Sequence, residues 1–464
     1  MIQVIQPGTR AGTIRVPASK STAHRLLIAA ALSDAPCRIE CRGVSKDIEA
    51  TARCLEALGA AVEYRKDGAF HTVPIRRAAE EKDICSTVPA ASAENAAHLF
   101  CGESGTTLRF MLPLAAALGR PAVFHMEGLL SKRPMGPLVL ELEKHGVRVH
   151  QDGDLLTCEG QLQPGEYVMP GNISSQFISG LLLALPLLNG KSLLTVTNNI
   201  ESEGYITMTE EVLSNAGVQL KKSGALYEIP GGQQYRVPEK MTVESDWSGA
   251  AAFLCMGALS GQGVSVPGMN VRSCHADRAI LDVLRGFGAE VTEDKGTVTV
   301  RKAPLPEQAA SMIAPLHGQV IDASNAPDLV PVLSALACGI DGTTRIVHAE
   351  RLRLKESDRL KTTAAMLNAL GGCVSETDDG LLIRGTGKLT GGEIDPANDH
   401  RIAMAAAVAA SVCSAPVVIR DSECVGKSYP AFFEDLRTLK TEEHDEADLP
   451  EKKAGAEGFK GENT

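Results

Sequence analysis

Aromatic side chains are scarce in this chain of 464 residues, at 4% with one Trp and six Tyr, so large rings cannot fill its interior. Small residues packed closely must do so, and 44 Gly with abundant Ala supply them. No run of 18 or more apolar residues occurs, which excludes an ordinary membrane-spanning helix. The opening Met1-Ile2-Gln3-Val4-Ile5-Gln6-Pro7-Gly8 has neither the basic nor the apolar stretch of a secretory leader, and a cytoplasmic protein is the expectation. Positive charge is in deficit, 46 Lys and Arg against 57 Asp and Glu, net −11. That balance argues against a general electrostatic grip on nucleic acid or anionic lipid, while leaving room for a local basic pocket. The twelve Cys stand singly, without Cys-x-x-Cys pairs or His at metal-ligand spacing, so no metal is expected and the thiols should be reduced and mostly buried. No Gly-x-Gly-x-x-Gly or Gly-x-x-x-x-Gly-Lys-Ser/Thr stands between a strand and a helix, so nicotinamide and P-loop nucleotide chemistry lose support.

What is present is a repeat. Five segments end alike: Leu55-Glu56-Ala57-Leu58-Gly59, Leu142-Glu143-Lys144-His145-Gly146, Leu213-Ser214-Asn215-Ala216-Gly217, Leu284-Arg285-Gly286-Phe287-Gly288 and Leu367-Asn368-Ala369-Leu370-Gly371. Each places Gly directly after a helical pattern, as a helix C-terminus leading into a strand requires. A second family opens apolar helices with polar turns: Ser19-Lys20-Ser21-Thr22, Glu103-Ser104-Gly105-Thr106, Ser174-Ser175-Gln176-Phe177, Asp246-Trp247-Ser248-Gly249, Asn325-Ala326-Pro327-Asp328 and Asn398-Asp399-His400-Arg401. These recur about every 71 to 84 residues, so six copies of a βαβαββ-type unit fill the chain to about residue 440. The first helix of each copy is apolar nearly all round and should be fully buried, and the second carries a charged face. Six α/β units divide naturally into two lobes of three. The expected division is 14–232 for one lobe and 1–13 with 233–440 for the other, separated near Gly231-Gly232. Residues 441–464, with eight Asp and Glu against three Lys and no periodicity, read as a disordered acidic tail.

The polar turns are also where chemistry is expected. A helix N-terminus presents unpaired N–H groups and the positive end of the macrodipole, so it is either an ordinary cap or an anion site. Cations gather at these turns: Lys20 and Arg25 at the first, Arg109 after the second, Arg401 at the sixth. Further basic loops occur at Ser131-Lys132-Arg133-Pro134, at Arg351 to Arg359 and at Gly426-Lys427-Ser428. The densest is the last-but-one, where Lys355, Glu356, Asp358 and Arg359 lie at a helix start. It reads either as a plain helix opening or as a carboxylic acid held among cations for proton transfer.

With these motifs in hand, the sequence over residues 3 to 440 resembles the 5-enolpyruvylshikimate-3-phosphate synthase family. The resemblance rests on Ser19-Lys20-Ser21 with Arg25, Gly105-Thr106 with Arg109, Lys132-Arg133-Pro134-Met135, Ser174-Ser175-Gln176-Phe177, Tyr205, Pro327-Asp328, Lys355-Glu356-Ser357-Asp358-Arg359-Leu360, Asn398-Asp399-His400-Arg401-Ile402-Ala403-Met404 and Lys427-Ser428-Tyr429-Pro430. It implies a two-lobed inside-out α/β barrel, three repeats to a lobe around buried helices. It also implies transfer of the enolpyruvyl group of phosphoenolpyruvate to the 5-hydroxyl of shikimate 3-phosphate, with release of phosphate through a tetrahedral intermediate. No cofactor is implied, and a monomer is expected, with small-molecule substrates and no nucleic acid or membrane partner. By the resemblance, Lys20, Ser21, Arg25, Ser174, Ser175, Gln176, Ser202, Tyr205, Asp328 and Lys355 meet shikimate 3-phosphate. Lys20, Gly105, Lys132, Gln176, Arg359, Arg401 and Lys427 meet phosphoenolpyruvate. Asp328, Glu356 and Lys20 are the implied acid/base groups, and His400 lies behind them.

The chain departs from the family pattern in places. The Arg frequent beside the phosphoenolpyruvate phosphate aligns with Leu129, for which Lys132 is the expected substitute, and an Asn that contacts the shikimate ring aligns with Arg351. Glu103 replaces the Asn of the usual Asn-Ala-Gly-Thr, and Phe110 replaces a Pro. The sister family that acts on UDP-N-acetylglucosamine has a Lys-Asn pair and a loop Cys. Here Ser21 follows Lys20, and 113–133 contains no Cys. A non-enzymatic binding protein would be expected to lose the acid/base pair, yet Asp328 and Glu356 both remain.

Overall fold

The computed structural model describes residues 1–75, 96–303 and 317–442. Six sheets account for the strands of the described residues, four of them four-stranded and of one design. In each, a strand lies parallel to the next and the pairing then turns antiparallel. Cys37–Glu40 runs parallel to Lys240–Thr242 and antiparallel to Ala69–Val73, which forms a hairpin with Ala61–Arg65. Ala97–Gly102, Ala122–Met126, Leu155–Gly160 and Val147–Asp152 repeat the pattern. So do Glu166–Pro170, Ser192–Thr197, Leu226–Ile229 and Lys221–Ser223. In the later part of the chain, Val320–Asp322, Gly342–Val347, Leu381–Gly385 and Val374–Glu376 form the same arrangement. The other two sheets borrow the N-terminus: Thr9–Thr13 runs parallel to Val264–Pro267, and Gln3–Ile5 pairs antiparallel with Val417–Ile419.

The helix-end glycines follow from backbone geometry. Gly59, Gly146, Gly217, Gly288 and Gly371 have φ of 97°, 91°, 73°, 95° and 88°, a left-handed region that a Cβ disfavours. The polar turns open helices as expected in five copies, where Ser19, Ser104, Ser174, Asp246 and Asp399 accept a backbone N–H at the N-cap. In the fifth copy Pro327 starts a 3-10 turn, Pro327–Leu329, that runs into the helix Val330–Cys338. The helices Lys20–Ala31, Gly105–Ala117, Ser175–Ala184, Trp247–Leu259, Val330–Cys338 and His400–Ala409 are largely buried. Among the described residues no helix is long and apolar enough to cross a membrane, and all described cysteines except Cys274 and Cys373 are buried.

Two hydrophobic cores result. One draws on Ala18 through Val243, the other on Ile5, Ile14 and Val16 together with Trp247 through Leu439. The chain therefore passes between cores near Pro17 and again between Val243 and Trp247, later than the expected divisions at 13/14 and Gly231-Gly232. Lys240–Thr242 is the reason, because it pairs in register with Arg38–Glu40 and stays with the first core. The last described strand, Lys440–Glu442, pairs with Thr9–Ala11 and so includes the first two residues of the expected tail. Residues 443–464 lie outside the described residues, as does Cys85.

Close helix contact explains the small-residue composition. Pro113 lies inside Gly105–Ala117 and has no N–H, so the carbonyl of Arg109 lacks its i+4 donor. Gly180 sits against that carbonyl, and a Cβ there would lie 2.4 Å from Arg109 O. Gly180→Ala should destabilise the protein by about 1–3 kcal/mol in urea unfolding despite the higher helix propensity of Ala. A stabilised variant would contradict this packing.

Candidate active site

Both cores contribute to one cleft. The helices Lys20–Ala31, Gly105–Ala117, Ser175–Ala184 and His400–Ala409 all begin at it, so their N–H groups and dipoles favour anions there. Lys20, Ser21, Arg25, Gly105, Ser174, Ser175, Gln176, Ser202 and Tyr205 line the first-core side. Asp328, Lys355, Glu356, Arg359 and His400 line the second-core side.

Three expected residues lie elsewhere. Arg401 reaches Asp328 Oδ2 at 2.8 Å from a buried position behind the wall. Lys427 lines an adjoining recess with Glu103 and Asp47. Lys132 is exposed and does not line the cleft. Leu129 is 44% exposed. Arg133 takes the place expected of Lys132, lining the cleft with Nη1 at 3.6 Å from Glu356 Oε1. The reason is local: Pro134 holds Arg133 extended, at ψ 145°, just after the turn Leu130–Lys132, and sends consecutive side chains different ways.

Arg359 is the hub of the second-core wall. It is 1% exposed and donates to Asp328 Oδ1 at 2.9 Å, Glu356 Oε2 at 2.5 Å and Asp399 Oδ2 at 2.8 Å. Burial would lower its pKa, but Asp399, Glu356 and Asp328 outweigh that and raise it. Burial would likewise raise both cleft carboxylates. Arg401, Lys355 and Arg359 instead hold Asp328 well below the usual range, and Arg359, Arg133 and Lys20 do so for Glu356. For Lys355 burial prevails over the attraction of Asp328 and brings the ammonium down to about 8. His400 is pushed far below its ordinary value by burial and by Lys20 and Arg401, and neither ring nitrogen has a hydrogen-bond partner among the described residues.

On the first-core wall Lys20 Nζ donates to Asp47 Oδ2 at 3.0 Å. Burial lowers the Lys20 pKa, but Asp47 and Glu356 reverse the effect and raise it. Arg25 is fixed by Thr209 Oγ1 at 2.8 Å, Ser21 O at 2.7 Å and Tyr205 O at 2.8 Å, and its guanidinium lies 5.1 Å from the Phe110 ring centroid. Arg109, a cleft residue that the site reading of the sequence omitted, donates to Gln176 Oε1 at 2.7 Å, while Gln176 Nε2 donates to Thr106 Oγ1 at 2.8 Å. Asp47 and Thr106 were also outside that reading. Arg351 pairs with Glu201 and donates to Ser324 O at 2.7 Å and Ser202 Oγ at 3.3 Å, so it braces the loop that presents Ser202.

The fold and this cleft define a two-core α/β protein whose shared cleft sets ionised carboxylates among cations. Residues 5–436 match the family model described as EPSP synthase (3-phosphoshikimate 1-carboxyvinyltransferase). A curated 3-phosphoshikimate 1-carboxyvinyltransferase of Clostridium acetobutylicum is 40% identical over 446 residues, covering 95% of this chain and 98% of the relative. One of Clostridium kluyveri is 39% identical over 440 residues, covering 94% and 96%. An EPSP synthase structure from Acinetobacter baumannii aligns with a TM-score of 0.73 at 25% identity, covering 95% of this chain and all of that one. The chain belongs to the EPSP synthase family.

Asp399 tests the wall's construction. It is fully buried, caps its helix through Arg401 N at 2.9 Å and accepts from Ser357 Oγ at 3.0 Å as well as from Arg359. Asp399→Asn keeps a capping oxygen but leaves Arg359 short of charge, and should destabilise by about 3–5 kcal/mol in urea unfolding. A change under about 1 kcal/mol would show that Asp328 and Glu356 suffice to hold Arg359.

Proposed function

We infer that this chain transfers the enolpyruvyl group of phosphoenolpyruvate to the 5-hydroxyl of shikimate 3-phosphate and releases phosphate, a step of the shikimate pathway. The observation that carries this reading is the pair Asp328 and Glu356, joined by Arg359 on the wall that faces Lys20, Arg25 and Gln176. We also read the molecule as two lobes closing on the substrates, each an inside-out barrel of three repeats around one of the two cores. The chain crosses between lobes near Pro17 and 243–247.

Two polyanions repel each other, and the lining offsets that repulsion with charge-assisted bonds of about 1.5–3 kcal/mol each. Ser174, Ser175 and Ser202 take the phosphate of shikimate 3-phosphate, Ser21 and Arg25 its carboxylate, with Tyr205 and Lys355 beside it. Lys20, the Gly105 N–H and Arg133 take the phosphate of the donor, with Lys427 reaching it from the adjoining recess as the lobes close, and Arg359 takes its carboxylate, backed by Arg401. Gln176 lies between the two. Asp328, held ionised by its cations, accepts the proton of the 5-hydroxyl as that oxygen bonds to C2 of phosphoenolpyruvate.

Glu356 gives a proton to C3 in the addition and takes one back as phosphate departs. For the first half it must be protonated, whereas Arg359, Arg133 and Lys20 keep it ionised in the empty cleft. Those cations are the ones that the donor's phosphate and carboxylate engage. Binding therefore brings anionic charge to Glu356 and raises its pKa toward the range that proton transfer requires. Lys20 assists from the opposite wall, and lobe closure excludes water from the intermediate.

Phosphate release should occur with shikimate 3-phosphate and not with UDP-N-acetylglucosamine. Within that assay Arg133→Ala should raise the KM for phosphoenolpyruvate by about ten- to a hundredfold, and Lys132→Ala by less than about twofold. Turnover with the nucleotide sugar alone would overturn the reading. A larger effect at Lys132 than at Arg133 would overturn the donor-phosphate assignment.

A further inference from the structure

Glu103 is a carboxylate that the reaction does not use, placed beside a cation that it does. It stands between the strand Ala97–Gly102 and the helix Gly105–Ala117, on the first-core side. Its Oε2 accepts from Lys427 Nζ at 2.7 Å, and its two oxygens lie 3.1 and 3.2 Å from Asn398 Nδ2. Lys427 also donates to Asn398 O at 2.6 Å, so two of its three N–H bonds are committed. Lys427 and Asn398 come from the part of the chain that builds the second core, hence this ion pair links the two parts of the chain across the recess beside the cleft. The two side chains are 9% and 23% exposed, for Lys427 and Glu103, so the pair is largely shielded from solvent and its attraction little screened by salt. Gly128 leaves the carboxylate its room, since a Cβ there would lie 2.6 Å from Glu103 Oε2.

We propose that Glu103 is the resting anion of Lys427: it occupies the ammonium in the empty enzyme and yields it when a phosphate arrives, thereby setting phosphate affinity. The proposal rests on the assignment of Lys427 to the donor phosphate. Lys20 shows the same arrangement, paired with Asp47 at 3.0 Å on the rim shared by the cleft and the recess. An ammonium stored against a carboxylate stays oriented without substrate, and a phosphate that draws on its charge competes with the carboxylate for it. The displaced carboxylate also returns as phosphate leaves, which favours product release. Removing the charge of Glu103 should therefore tighten binding of the donor and of inorganic phosphate, and leave shikimate 3-phosphate unaffected.

The test measures KM for both substrates and inhibition by inorganic phosphate in Glu103→Gln, Glu103→Asp, Lys427→Gln and the double variant Glu103→Gln/Lys427→Gln. Gln keeps the shape and loses the charge, and Asp keeps the charge but falls short of Lys427. Both Glu103 variants should lower the phosphoenolpyruvate KM and the phosphate inhibition constant by about three- to tenfold, with the shikimate 3-phosphate KM unchanged. Lys427→Gln should raise both constants at least about tenfold, and the Glu103 effect should vanish in the double variant. If Lys427→Gln has that effect but the Glu103 variants leave both constants unchanged or raise them, Glu103 is no competitor and the proposal alone falls. If Lys427→Gln changes neither constant, the assignment of Lys427 falls and the proposal with it.

Discussion

A guanidinium taken out of water needs anions around it, and Arg359 has three. Asp399 anchors it to the start of the buried helix His400–Ala409, whereas Asp328 and Glu356 stand on the cleft side. That one buried charge thus fixes two carboxylates at the place where the second core meets the first. Arg401 and Lys355 add to Asp328, Arg133 crosses from the facing wall to Glu356, and the cleft becomes a lattice of alternating signs. Each charge in it is stable because its neighbours are in place, and each is available because an arriving anion can take a neighbour's role.

Seen this way, the overall −11 and the basic cleft are compatible. Several cations of the site are paired with carboxylates, Lys20 with Asp47, Lys427 with Glu103 and Arg359 with three partners. On the proposed assignment, substrate binding is an exchange of anions rather than the filling of a bare positive hole. This bears on catalysis as well, because the state of Glu356 follows from what Arg133, Arg359 and Lys20 face at the time.

Much of this organisation was legible in the sequence where a single residue type is physically required. Gly59, Gly146, Gly217, Gly288 and Gly371 mark helix ends because their φ values exclude ordinary side chains, and so they disclose the repeat. Buried helices such as Trp247–Leu259 were legible because they have no polar face. The strand Lys240–Thr242 was not, since three residues carry no alternation and its partner Cys37–Glu40 lies some 200 positions away. In the site, the motif residues Lys20, Asp328 and Glu356 could be read from their segments, but Asp47 and Glu103 could not. Their roles arise from ion pairs 27 and 324 positions apart in the chain. Arg133 shared its charge with its neighbour Lys132, and the backbone before Pro134 decided which of them faces the cleft.

The account stands on Glu356 as the group that carries the proton at C3 of the donor. Protonation there makes a methyl group whose three hydrogens are equivalent, so in deuterated water most reversals should leave deuterium in the methylene of phosphoenolpyruvate. The most direct measurement follows that exchange with shikimate 3-phosphate present, for the unchanged protein and for Glu356→Gln. The account predicts wash-in by the former and a loss of about 10²- to 10⁴-fold in the variant, with substrate binding retained. Exchange by Glu356→Gln at the unchanged rate would contradict it.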